Sequence, residues 1–198
     1  MTEAKRYHHG DLRAALLDAA EAELAEAGVE GFSLRKVARR AGVSHAAPAH
    51  HFRDARGLLT ALAERGYARL VALHDARDPG DGAGAAERLE AYGLAYVDFA
   101  LRHTALFRLC FASALPDHGD PALSATAAAA FERLARLVGD RDGRPPFGDA
   151  AAMVPAYRAW AVVHGMADLL AAGRMRALAE MPAPEREAAL RGMIRAAA

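Results

Sequence analysis

Residues that favour β-sheet are nearly missing from this chain. Ile194 is the only isoleucine, and four threonines occur among 198 residues. Alanine, leucine, arginine and glutamate dominate, and these lose little conformational freedom on entering a helix. The expected fold is therefore all-α. Apolar residues make up 53% of the chain, enough at this length for one large or two small cores. No stretch approaches the roughly 20 uninterrupted apolar residues of a membrane-spanning helix. The first residues carry no apolar run of the secretion-signal kind. A cytoplasmic protein without a membrane partner is expected.

Glycine and proline clusters divide the chain into about nine helices. Asp11 to Ala27 places Leu12, Leu16, Ala19, Ala20, Leu24 and Ala27 on one stripe, with Asp11 as a candidate N-cap and Gly28 after its end. Ser33 is placed to cap a short helix to Arg40, Ser44 another to Phe52, and Asp54 a longer one to Arg77. Loops at 78–84, 116–121 and 140–146 separate helices near 86–114, 123–138 and 149–173. Pro155 either starts the last of these or kinks it. A break at Met181 to Pro184 precedes a final helix, Glu185 to Ala196. The expected domains are residues 1–53 and 78–198, joined by the helix 54–77.

The most informative stretch runs from Ser33 to Phe52. Ala38 and Ala41 are small where a second helix would pack, Gly42 tolerates positive φ, Val43 plugs the core and Ser44 restarts the helix. That is the pattern of a helix-turn-helix. Between Phe32 and Arg53 there is no carboxylate, whereas Arg35, Lys36, Arg39, Arg40, Arg53, His45, His50 and His51 all fall there. The whole chain balances 25 basic against 25 acidic residues, so its neutrality conceals a local positive face suited to phosphate. The plainer reading of such a charge run is a solvated helix face.

With these residues in view, the chain resembles the TetR family of transcriptional regulators, well over Tyr7 to Tyr67 and by helix count beyond. The strings Tyr7-His-His-Gly-Asp-Leu-Arg13 and Gly42-Val-Ser-His-Ala-Ala-Pro48 resemble one group of that family, as does Trp160 four residues before His164-Gly165. The resemblance implies a repressor that binds a double-stranded, palindromic DNA operator as a homodimer and is released by a small-molecule effector. It places Ser33, Ser44 and His51 on phosphates and His45, Ala46, Ala47 and His50 at base edges, where alanine methyls can touch the thymine methyl. Arg35 and Arg39 belong to the basic face, and Lys5 and Arg6 would either reach a minor groove or belong to a disordered tail. The chain departs from the family at Ala46, commonly glycine, at Ala49, usually tyrosine, and at Ala55, commonly lysine or arginine. Arg53 or Arg56 would supply the phosphate contact that these alanines cannot make. Pro48, at about the fourth position after Ser44, removes one backbone donor near a helix start, where its cost is small.

Downstream, Tyr92, Tyr96, Phe99, His103, Phe107, Cys110 and Phe111 share one helical face. With Tyr157, Trp160 and His164 they form a candidate ligand site, Tyr96, His103, Tyr157 and His164 supplying polar tips. The competing reading is the core of a helical bundle. The resemblance implies that helices 149–173 and 185–196 pair with their twofold mates, Ala159, Ala167 and Ala171 allowing close approach. Nothing suggests an enzyme, a cofactor or a metal. Cys110 is the single cysteine, which rules out an internal disulfide and a cysteine-based zinc site. The glycines at 80, 82 and 84 follow no strand and make no phosphate cradle. His164 and Asp168 have ligand spacing but no companions. A helical interaction protein with a degenerate helix-turn-helix is the alternative, supported by Ala49 and Ala55.

Overall fold

The computed structural model describes residues 9–143, 147 and 150–197. Ten helices and no strand occur among them: α1 His9–Ala27, α2 Leu34–Arg40, α3 Ala47–Phe52, α4 Ala55–Arg77, α5 Ala85–Arg102, α6 Thr104–Ala112, α7 Pro121–Asp142, α8 Val154–Ala171, α9 Arg176–Ala179 and α10 Ala183–Ala197. The all-α expectation holds. Lys5, Arg6, Tyr7 and His8 lie outside the described residues.

Several boundaries differ from the sequence reading. α1 begins at His9, so Asp11 lies in its first turn instead of capping it. The expected helix 86–114 is two helices. His103 still donates its N–H to Phe99 at 2.9 Å, but its own φ of −129° and ψ of 45° end α5. The apolar spacing continues through this break, so periodicity does not reveal it. α7 starts earlier because the Asp120 carboxylate accepts from Ala122 and Leu123 N–H at 3.0 and 3.1 Å, and it continues to Asp142 through part of the expected loop. Pro155 falls in the first turn of α8, where a missing N–H breaks no bond. The helix starts there and does not kink.

The chain divides into two compact units, one of Met1–Gly66 with Ala105–Ser124 and one of Tyr67–Thr104 with Ala125–Ala198. α4 contributes to both units, and α6 belongs with the helix-turn-helix.

In the first unit, α1 packs on α2 and α2 on α3. Leu16, Val37, Ala38, Leu58, Leu62 and Leu109 are fully buried, and truncating one such leucine to alanine costs about 2–5 kcal/mol. Cys110 is buried too, its Sγ 3.5 Å from the Ala63 carbonyl oxygen. Burial pushes its thiol up to about 12, so it is a core residue without nucleophilic character at neutral pH. The Asp117 N–H donates to Thr60 Oγ1 at 2.9 Å and fastens the segment after α6 to α4.

The second unit is built on α5, which packs on α8 and α10. Leu94, Ala95, Tyr96, Val97, Phe99 and Ala100 of α5 are buried. Glu90, 6% exposed, accepts a bidentate pair of bonds from Arg195 at 2.7 and 3.0 Å, with Arg191 at 3.6 Å, and so clamps α10 to α5.

Candidate nucleic-acid interface and aromatic cluster

Gly42 makes the turn after α2 with a φ of +67°, a conformation in which a Cβ would be strained. Val43 N–H then reaches the Ala38 carbonyl at 3.0 Å, and Val43 is half-buried. α3 begins at Ala47 and not at Ser44. Ala46 is its N-cap residue, and the Ser44 carbonyl instead accepts the Ala47 N–H at 3.0 Å in the turn before it. The physical reason is Pro48, which at N1 or N2 loses no helical bond and buries its ring. Ser33 does precede α2, with extended backbone and no side-chain bond to its N–H groups.

The cations of the carboxylate-free window have different fates. Lys36 lies 3.2 Å from Glu23 of α1, and Arg40 pairs with Glu23 and Glu26. Glu23 is 2% exposed, so these pairs dock α2 on α1. Among the described residues Arg35, Arg39 and Arg53 face no carboxylate within ion-pair distance, and all three are exposed. Ser44, His45, Ala46, Ala49 and His50 are exposed with them, whereas Ser33, Ala47 and His51 are half-buried. Arg56 lies 3.4 Å from Asp117 and is therefore engaged.

The junction of α3 and α4 is tight. Arg53 has φ 67° and ψ −61°, and Asp54 N–H bonds the Phe52 carbonyl at 2.8 Å, which is a γ-turn of the rare, strained hand. The Asp54 carboxylate then accepts the Gly57 N–H at 2.8 Å and caps α4. A Cβ on Gly57 would fall 2.0 Å from the Phe52 oxygen, so only glycine fits. The Asp54 cap is the one expected from the sequence, whereas the γ-turn at Arg53 and the need for glycine at 57 are not legible there. Asp54-x-x-Gly57 is visible in the chain, but the close approach that makes the glycine necessary is not.

In the second unit, Tyr96, Trp160 and His164 converge. The Tyr96 hydroxyl lies 2.8 Å from His164 Nδ1, and the Trp160 indole N–H donates to the same hydroxyl at 3.3 Å. Burial lowers the His164 pKa, against an opposing pull from Asp168. Tyr96 and Trp160, but not His164, line a largely apolar cavity of about 20 Å³, together with Leu89, Tyr92, Gly93, Leu134, Ala159, Val163 and Ile194. Not all the expected ligand residues meet here. Phe99 is fully buried and His103 ends α5 beside Arg69, at 3.3 Å. Tyr157 is 51% exposed and stacks on Phe131 at 5.2 Å. Phe107 and Cys110 belong to the other compact unit. Leu89, Gly93, Leu134, Val163 and Ile194, which were not expected at a ligand site, line the cavity instead. They come from α5, α7, α8 and α10, and no local spacing connects them.

Residues 89–197 match the family described as tetracyclin repressor-like, C-terminal domain, and residues 16–62 match bacterial regulatory proteins of the tetR family. The chain belongs to the TetR family. It is a DNA-binding transcriptional regulator and not an enzyme. Among solved structures, a protein of unknown function from Rhodococcus sp. RHA1 is 36% identical over 98% of each chain, with a TM-score of 0.78. The TetR-family regulator PfmR from Thermus thermophilus is 20% identical, covering 91% of this chain and 97% of that one, with a TM-score of 0.65. A TetR variant from Acinetobacter baumannii AYE, in complex with minocycline, is 23% identical, covering 96% and 94%, with a TM-score of 0.60. Likeness at these last two identities speaks to the fold alone. No curated protein matches the chain. No helix among the described residues is long and apolar enough to cross a membrane, and none of their His, Cys, Asp and Glu side chains group to hold a metal.

Proposed function

We propose that this TetR-family regulator is a repressor that binds a palindromic operator as a homodimer and leaves it when a small, largely apolar molecule enters the aromatic cluster. One observation carries the DNA half of this reading. Arg35, Arg39 and Arg53 have no carboxylate partner among the described residues, beside the exposed His45, Ala46 and His50. An uncompensated positive face next to small and imidazole side chains can hold phosphates while short groups approach base edges. In this reading α3 enters the major groove, Ser33, Ser44 and His51 touch phosphate, and Ala46 and Ala47 meet thymine methyls. Arg53 takes over the phosphate contact, because Arg56 is held by Asp117.

The effector half is supported by the cavity beside Tyr96, Trp160 and His164 and, by analogy, by minocycline in the Acinetobacter structure. At about 20 Å³ the cavity has room for little more than one water. An effector therefore selects a wider state of the second unit, and it is that difference between states that releases DNA. The dimer half is supported by apolar side chains left exposed on α8 and α10, namely Val154, Leu169 and Met193, with Ala161 and Gly165 between. The small residues first expected to serve this contact do not face outward, since Ala159 and Ala167 are buried within the chain and Ala171 is half-buried.

A gel-shift with DNA from the gene's own upstream region tests the reading, together with transcription from that promoter. Expected are a specific complex that weakens about 10³-fold or more between about 50 and 200 mM salt, its loss in Arg39→Glu, and lower transcription when the protein is present. Specific binding absent at every salt concentration would instead support the interaction protein with a degenerate helix-turn-helix, to which Ala49, Ala55 and the engaged Arg56 are suited.

A further inference from the structure

A polar cleft in the second unit plays no part in the reading above. Its walls are the end of α4, the start of α5 and one face of α7, and it encloses about 220 Å³, against about 20 Å³ beside the aromatic cluster. His74 lines it. The imidazole is 3% exposed and stacks on Tyr92 with ring centres 3.5 Å apart. Neither ring nitrogen has a hydrogen-bond partner among the described residues. Tyr92 does not serve, because it stacks on the imidazole and its hydroxyl reaches the Ala130 carbonyl instead. Burial, helped by Arg133, lowers the His74 pKa to about 3, so the ring is neutral and offers one donor and one acceptor. A buried donor and acceptor left without partners are costly.

The charges around His74 are partly committed. Arg88 forms a bidentate pair with Asp78 at 3.0 and 2.7 Å, and Arg133 pairs with Asp75. Two charges on α7, a helical turn apart, are less engaged. Among the described residues Arg136 approaches only Glu132, at 3.9 Å, and stands over the Phe147 ring. Asp140 has no ion pair within 4.0 Å among the described residues and acts on Arg88 only at longer range. Arginines and aspartates balance around the cleft, so neither a lone anion nor a lone cation gains a net field.

We propose that this cleft binds a small zwitterion of the amino-acid type, with Arg136 facing its carboxylate, Asp140 its ammonium and His74 completing the hydrogen bonds. The site lies within the second unit, shares only Tyr92 with the walls of the cavity beside the aromatic cluster, and does not rest on the DNA-binding or effector role proposed above.

The test is nitrogen NMR of the full chain carrying labelled histidine, the His74 signals being those that vanish in His74→Gln. The probes are glycine, alanine and serine, with acetate, methylammonium and glycerol as controls. At least one amino acid should shift the His74 ring signals saturably, with acetate and methylammonium each about tenfold weaker or worse, since each offers half of the charge pair. Arg136→Gln and Asp140→Asn, both on exposed side chains, should each weaken that amino acid about tenfold with helix content unchanged. His74→Phe removes the orphan nitrogens, so it should raise the melting temperature without ligand and abolish any rise on adding the amino acid. If no amino acid moves His74 at concentrations that would saturate a site of about 1 mM Kd, the proposal fails. Acetate or glycerol binding as well as the amino acids, or binding indifferent to Asp140→Asn, would also overturn it. Should His74→Phe not fold, the two exposed variants still decide.

Discussion

At Arg53 conformation and charge pull in opposite directions. A side chain at φ 67° is strained by about 1–3 kcal/mol, and glycine would relieve most of that. Yet the same arginine is one of the exposed cations without a carboxylate partner. Arg53→Gly should therefore melt higher, by about 1 kcal/mol of stability, while binding operator less tightly. Thermal melts and gel-shifts on the same preparation check both signs. A second residue-scale prediction concerns Glu90. Its bonds with Arg195, with burial opposing, hold its carboxyl below the ordinary 4.5. A carboxyl lowered in the folded state contributes its stability above the unfolded value and loses it as pH falls through the folded one. Glu90→Gln should thus melt lower than wild type near neutral pH, and the gap should close only below about 4.5. Melting curves across pH measure it. Neither feature is as legible as the turn at Gly42, where a glycine before Val-Ser is a local signal. Nothing local marks Arg53 as a residue of positive φ, or Glu90 as the anchor of a helix a hundred residues away.

Within elements, α2 shows how a run of like charge divides in three dimensions. Lys36 and Arg40 turn toward α1 and meet Glu23 and Glu26, while Arg35 and Arg39 remain on the open side. Helical geometry separates them, since neighbours in sequence project about 100° apart. Substitution should separate them as well. Arg39→Glu should abolish or greatly weaken operator binding with little change in melting temperature. Lys36→Ala should mainly loosen α2 on α1, because it takes a partner from the buried Glu23. The same gel-shifts and melts resolve the pair. The break between α5 and α6 carries the reverse lesson. Apolar spacing runs across His103 unchanged, yet the backbone turns there and sends the two helices to different units. A ligand site drawn along one continuous helix therefore included Phe107 and Cys110, which the structure packs with α4 and the helix-turn-helix unit.

For the whole molecule, the dimer and the effector remain to be tested. Leu169→Glu and Met193→Glu place charge at positions 46% and 37% exposed, so they should leave the fold intact. If α8 and α10 form the interface, both variants should sediment as monomers with unchanged helix content and lose the palindrome. The effector is addressed through Trp160, the single tryptophan, whose indole donates to the Tyr96 hydroxyl in the cluster. A compound that displaces this bond should change Trp160 fluorescence and release DNA over the same concentration range. By linkage, operator should weaken the compound by the same factor, roughly 5–150-fold. His164→Phe keeps the volume but removes a polar anchor, and should alter which compounds act more than whether the protein folds. Stoichiometric binding at Trp160 without any change in operator affinity would show the cluster to be plain core.

What the sequence determined by itself is what short stretches of chain can encode. The all-α class follows from helix formers in every segment, the helix-turn-helix from a small-residue and glycine pattern about ten residues long, and the hidden positive face from a window free of carboxylates. Tertiary structure decided the rest. It set which arginines are neutralised, which aromatics share a cavity, which alanines of α8 face inward, and that His74 is buried with both nitrogens orphaned. Each of these depends on a partner tens of residues away, and such partners are chosen by how helices pack rather than by any spacing along the chain.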